Sequence, residues 1–255
     1  DYALPAWRAL SDHAQLDSMA RCYRVSRRCR RAGIEPHEFQ WADSHAAVLN
    51  LDRGRGYYFG WEMGLGKTLG ACMVMDAWDV NFAFIACPNS AKRDPWLEHL
   101  EAFTPWLHPV VMGNSPKARA AAYGECQERM AAGEPTALIC HYDAIKLIEA
   151  ERKGRRGWAR LGQWDLKIGD EAHTHKKRDT LRTAAFRRIK AAGVLLLSGS
   201  VMSGQTEQMF VPWQIMRPKR FRSQWNDWND PYLEVVDTDY GKVVVGPAPH
   251  RLNEF

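Results

Sequence analysis

Gly60-Trp61-Glu62-Met63-Gly64-Leu65-Gly66-Lys67-Thr68 follows the apolar run Tyr57 to Phe59 and leads into a helix-like stretch, Thr68 to Trp78. A strand, a glycine-rich loop and a helix in that order let backbone N–H groups and a helix N-terminus surround phosphate oxygens. In this reading Gly64 and Gly66 let the loop fold, Lys67 reaches the terminal phosphates of a nucleotide, and Thr68 ligates magnesium. Met63, Leu65 and Leu69 complete the candidate nucleotide-binding set. The pattern departs at its first position, where Trp61 stands in place of glycine. Trp61→Gly is therefore expected to leave nucleotide binding intact. The competing reading is a glycine-rich turn that merely caps a helix, and Gly-Lys-Thr at a strand-to-helix junction argues against it.

Outward from the loop, short apolar runs alternate with helix-like stretches. The runs are Tyr57 to Trp61, Phe82 to Cys87, Val110 to Met112, Ala137 to His141, Leu166 to Gly169 and Val194 to Leu197. Between them lie Thr68 to Trp78, Ala91 to Phe103, Lys117 to Ala132 and Thr180 to Ala191, each long enough for a crossover helix. Short buried strands joined by helices predict an α/β fold with a parallel sheet covered on both faces. Ligands of such sheets bind beyond the carboxyl ends of the strands, which is where the motifs fall.

One of those strand ends reads Leu166-Lys167-Ile168-Gly169-Asp170-Glu171-Ala172-His173. An aspartate facing the phosphate loop can hold magnesium, and the adjacent glutamate can orient or deprotonate an attacking water. Lys67, Asp170 and Glu171 are thus the candidate catalytic residues, with Thr68 and Asp170 as the metal ligands. ATP and magnesium are the cofactors implied.

Glu62 to Thr68, read with Asp170 to His173, resembles the superfamily-two helicases, and specifically the Swi/Snf-type translocases of double-stranded DNA. The resemblance implies the RecA-like, ATP-binding lobe of a P-loop NTPase. Further matches follow in the family's order. Gln40 resembles the upstream glutamine that recognises adenine, although taken alone it reads equally as a helix-surface residue. Ile85 to Ser90, with Pro88, Asn89 and Ser90 at its tip, and Leu138 to Tyr142 resemble motifs that touch the nucleic-acid backbone. Lys176, after His173, resembles the family's lysine-bearing run. Leu195 to Ser200 resembles the motif that couples hydrolysis to DNA contact, through His173, Ser198, Gly199 and Ser200. There serines replace two threonines and Val201 replaces a proline.

The resemblance runs from about Gln40 onward. We expect an Arg-rich accessory segment over 1–35, the RecA-like lobe over 36–217, and a closing tail over 218–255 with a hairpin around Asp239, Tyr240 and Gly241. A second RecA-like lobe is not readable in this chain, and the resemblance implies one on a continuation or on another chain. Its arginine would accelerate turnover by roughly three to five orders of magnitude.

Composition sets outer limits. At 255 residues, 45% hydrophobic and 25% charged, the chain can bury a sizeable core. No apolar run reaches the roughly 20 residues a membrane helix needs. A soluble, intracellular protein is expected, in cytoplasm, nucleus or nucleoid. The six cysteines show no paired spacing and should be reduced thiols. A net charge of +5 is clustered at Arg27 to Arg31, Lys153 to Arg160, His175 to Arg178 and Arg217 to Arg222, which suits a polyanion. Most of the eleven tryptophans should be core residues, with Trp61 as the candidate exception. The leading expectation is a DNA-stimulated ATPase lobe that binds duplex DNA without sequence preference. A strand-separating helicase lobe and a non-hydrolysing nucleotide-sensing scaffold remain open beside it.

Overall fold

A computed structural model of the chain describes residues 33–145, 164–175, 180–200 and 209–217, and the backbone of 233–238 and 241–247. Six strands form one sheet: β1 (Tyr57–Phe59), β2 (Phe82–Cys87), β3 (His108–Val111), β4 (Thr136–His141), β5 (Trp164–Asp170) and β6 (Ala191–Leu197). Their spatial order is β1-β6-β5-β2-β4-β3, and every adjacent pair is parallel.

Side chains alternate between the two faces of a strand, so a run that is apolar throughout must be covered on both. Phe59, Ile85, Leu166, Ile168, Leu195 and Leu197 pack in one layer with helices α1 (Glu38–Asp52), α2 (Lys67–Ala77) and α3 (Glu98–Phe103). Phe84, Ala86, Leu138, Cys140 and Leu196 pack in the other with α4 (Pro116–Ala131), α5 (Leu181–Arg188) and α6 (Phe210–Met216). The doubly covered parallel sheet expected from the sequence is the fold.

Strand register explains why distant motifs meet. Phe59 pairs with Leu197, and Leu197 with Asp170. Gly169 pairs with Ala86, and Cys87 with His141. With neighbouring strands about 4.8 Å apart, the residues that follow β1, β6, β5, β2 and β4 emerge along one edge.

Three details differ from the sequence reading. Ala91 to Phe103 is not one helix. It is a turn at Asn89–Ala91, an irregular turn over Lys92–Leu97 with Asp94 extended (φ −102°, ψ 117°), and then α3. Pro95 lacks an N–H and disfavours helical geometry at the residue before it. Helix α1, unread in the sequence, buries the polar Gln40, Ser44 and His45 beside Ala47 and Val48. That mixture hides the apolar stripe by which a helix is usually seen. Trp61 is 7% exposed and belongs to the core, so it is no exception among the tryptophans.

In the tail, β7 (Leu233–Thr238) and β8 (Gly241–Pro247) pair antiparallel, with Thr238 opposite Gly241. Cys87, Cys126 and Cys140 are free thiols, buried like Cys72. The segment 1–32, Cys22 and Cys29, Lys176, Val201 and the basic clusters other than Arg217 and the backbone of His175 lie outside the described residues. Among the described residues, no helix is long and apolar enough to cross a membrane.

Candidate active site

Two glycines shape the phosphate loop. Gly64 and Gly66 have φ of +84° and +72°, a region other residues rarely adopt, and Gly66 is the N-cap of α2. A Cβ on Gly66 would lie 2.7 Å from Nε2 of Gln40. The loop curls over its own lysine: Lys67 Nζ donates to the carbonyls of Trp61 and Glu62, each at 3.0 Å. Thr68 sits in the first turn of α2, where helix N–H groups have no partner inside the helix. Met63 (82% exposed) and Leu65 (41%) stand on the open side, whereas the side chain of Leu69 is buried in the core.

Gln40 reaches this loop from α1. Its Nε2 donates to the Leu65 carbonyl at 3.0 Å, and its Oε1 accepts from the His37 N–H at 2.9 Å. It is buried, so it is not a helix-surface glutamine.

The acidic pair lies two strands away. Asp170 is 8% exposed. Its Oδ2 accepts from Trp96 Nε1 and its Oδ1 from the Glu171 N–H, both at 2.9 Å. Burial pushes its carboxyl above the usual carboxylate range, the Trp96 bond opposes this, Glu171 adds to it, and Lys67 opposes it. A buried carboxylate of that kind, close enough to Lys67 of the phosphate loop to feel its charge, fits a divalent cation, whose charge offsets the desolvation. Among the described residues no cluster of three or more His, Cys, Asp or Glu side chains could hold a metal alone.

Immediately after Asp170 the backbone turns through Glu171, at φ +52°. Glu171 Oε2 and Ser198 Oγ each lie 3.0 Å from His173 Nδ1, so the imidazole bridges the two side chains. Ser198 in turn accepts from the Ser200 N–H at 3.2 Å and is anchored to β1 by its own N–H on the Phe59 carbonyl. A Cβ on Gly199 would lie 3.3 Å from the Met63 backbone nitrogen. The Asp-Glu turn, the Ser198–Ser200 loop and the phosphate loop are therefore in contact.

Asn89 and Ser90 are exposed just past β2, with Pro88 half-buried beside them. Tyr142 is different. It is 3% exposed and its hydroxyl donates to the Asp170 carbonyl, so its side chain lies inside the lobe and offers nothing to a nucleic-acid backbone. Its place is under the Asp170 peptide, and Gly169 leaves it room, since a Cβ there would meet the Tyr142 hydroxyl at 3.3 Å.

Trp96, which follows the Ile85 to Ser90 motif in the resemblance but is not among its site residues, belongs to the site. It is fully buried and comes from the irregular turn before α3. Only its position after Pro88-Asn89-Ser90 marks it in the sequence, because a tryptophan that donates to a carboxylate reads like any core tryptophan.

Comparison with known proteins bears on the family and the fold. The family model of the SNF2-related domain matches residues 16–242, starting inside the segment 1–35 expected to be an Arg-rich accessory. The human protein "DNA annealing helicase and endonuclease ZRANB3" (Homo sapiens) is 28% identical over 191 residues, 71% of this chain and 16% of that protein. A Drosophila melanogaster protein, "SWI/SNF-related matrix-associated actin-dependent regulator of chromatin subfamily A-like protein 1", is 26% identical over 62% of this chain and 19% of its own length. Thus the chain spans less than a fifth of either relative. Among solved structures, the Sulfolobus solfataricus SWI2/SNF2 ATPase core in complex with dsDNA superposes with a TM-score of 0.62 at 19% identity. The match covers 78% of this chain and 39% of that one.

Proposed function

The chain belongs to the SNF2-related domain family, and from that membership we propose that it is the ATP-binding and ATP-hydrolysing lobe of a motor that tracks along double-stranded DNA. The observation that carries the proposal is the convergence of Gln40, Lys67, Asp170 and Glu171 around one phosphate loop at one sheet edge.

The chain's own groups suffice for nucleotide capture. The loop N–H groups and the N-terminus of α2 bind phosphate oxygens. Lys67 exchanges the Trp61 and Glu62 carbonyls for the terminal phosphates, and Gln40 exchanges the Leu65 carbonyl for the adenine edge. Thr68 and Asp170 would hold magnesium, which would supply neutralising charge for the phosphates. Glu171 orients the attacking water and takes its proton. His173, bridging Glu171 and Ser198, links the acidic pair to the loop of Gly199 and Ser200.

Two parts of the proposal lie outside this lobe. A second RecA-like lobe, on a continuation or another chain, supplies the arginine that completes the transition-state charge. Duplex DNA binds through phosphate contacts that carry no base information, with Pro88, Asn89, Ser90 and Lys176 among them, so affinity falls steeply with salt. The Sulfolobus core, solved on dsDNA, supports duplex as the substrate. Hydrolysis measured with duplex and with single-stranded DNA tests this. Stronger stimulation by single strands would favour a strand-separating helicase, and ATP binding without turnover in the presence of a second lobe would favour a nucleotide-gated scaffold.

A further inference from the structure

Trp61 stands where the phosphate-loop pattern has glycine, yet its side chain does not crowd the nucleotide side. The indole turns inward. It stacks on Phe59 (centroids 4.4 Å apart, 17° between planes) and takes the edge of Phe39 at 5.1 Å. It roofs Gly70 of α2, where a Cβ would meet ring carbons of Trp61 at 2.6 and 2.8 Å. Its Nε1 donates to Oδ2 of Asp43. The other carboxylate oxygen of Asp43 accepts from the Tyr57 hydroxyl at 3.2 Å.

Asp43 lies three residues after Gln40 on α1, so the two share a helix face. That face also sets Ser44 Oγ within 3.5 Å of the Gly70 carbonyl. One carboxylate thus ties α1 to the strand entering the phosphate loop and to the loop's first residue. The main chain of that first residue matters for chemistry, because the Trp61 and Glu62 carbonyls hold Lys67 Nζ.

We propose that Asp43 and Trp61 form a latch that fixes the entry to the phosphate loop and thereby positions Lys67 for the terminal phosphates. The latch does the work that close glycine backbone packing does in loops of the usual pattern. Asp43 and Trp61 are positioning residues that touch no nucleotide themselves. The expectation that Trp61→Gly leaves binding intact is replaced: that change removes the roof over Gly70 and the anchor to α1 together.

The inference rests on the ATP-binding reading, and the test separates the two. The 255-residue chain and its Asp43→Ala, Asp43→Asn, Trp61→Phe and Lys67→Ala variants are titrated calorimetrically with magnesium-ATP and with AMP, which lacks the phosphates that Lys67 reaches. Thermal unfolding without nucleotide is run alongside. Trp61→Phe keeps an aromatic ring in the core and removes the N–H donor together with part of the indole. Asp43→Ala and Trp61→Phe are expected to weaken ATP on the order of tenfold and leave AMP unchanged. The double variant should be no weaker than the worse single one, and neither change should matter once Lys67 is alanine. Equal weakening of ATP and AMP, or ATP affinity unmoved in folded variants, overturns the latch. If Asp43→Ala does not fold, Asp43→Asn and Trp61→Phe carry the same test. Failure of the unaltered chain to bind ATP is a different result: it overturns the nucleotide reading, and the latch with it.

Discussion

Gly70→Ala separates a buried Trp61 from an exposed one by the sign of its effect. Gly70 lies in the first half of α2, where alanine is favoured over glycine by about 1 kcal/mol. With the indole in place, the new methyl would sit 2.6 and 2.8 Å from two of its carbons and 3.2 Å from Phe59 Cε2. The ring cannot swing aside freely, because Asp43 holds its nitrogen and Phe59 its face. Overpacking of this kind costs about 1–3 kcal/mol. The net effect is a loss of up to about 2 kcal/mol, or up to roughly 8 °C in Tm for a chain of this size. Thermal unfolding and urea denaturation of Gly70→Ala, Trp61→Phe and the double variant measure it. The smaller ring of Trp61→Phe should relieve the clash, so the double variant should be more stable than the two single losses added. A rise in Tm for Gly70→Ala alone would refute the packing, since it would mean that nothing stands over the glycine.

Three further predictions concern the buried charges. The Asp170 carboxyl titrates higher in the folded chain than in the unfolded one, so the ionised side chain costs stability above that range and the cost is relieved as pH falls through it. Asp170→Asn should therefore raise the nucleotide-free Tm near neutral pH, with the gain shrinking in acid, while magnesium-dependent hydrolysis is lost. Trp96→Phe removes a donor that lowers the Asp170 carboxyl, so the acidic limb of the pH–rate profile should move to higher pH. Lys167, buried on β5 with Nζ donating to the Phe186 and Ile189 carbonyls, is pushed down to about 8 by burial and by Arg187, from an ordinary 10.5. Between those values the unfolded chain binds more protons, so this residue makes stability rise with pH there. Lys167→Met should abolish that component, as judged by urea midpoints across the window.

The sequence made the sheet legible because parallel strands are apolar on both faces. Phe82 to Cys87 was read with its observed bounds, and the motif-bearing strand ends fall along one edge as the α/β pattern requires. What stayed hidden depends on contacts between residues far apart. Trp61 looks like a loop residue until Asp43 on α1 and Gly70 on α2 are seen around it. Tyr142 resembles a backbone-contacting residue by its position after β4, but its hydroxyl turns inward to the Asp170 carbonyl. Helix α1 escapes a sequence reading because its buried face carries the polar Gln40, Ser44 and His45; Gln40 bonds the Leu65 carbonyl of the loop and Ser44 the Gly70 carbonyl of α2.

The most direct test of the motor reading is steady-state ATP hydrolysis with and without duplex DNA, compared between the unaltered protein and Glu171→Gln. A lobe of a duplex-tracking ATPase should be stimulated by duplex and should lose turnover, but not ATP binding, with Glu171→Gln. Turnover that ignores duplex, or that survives Glu171→Gln, would contradict it.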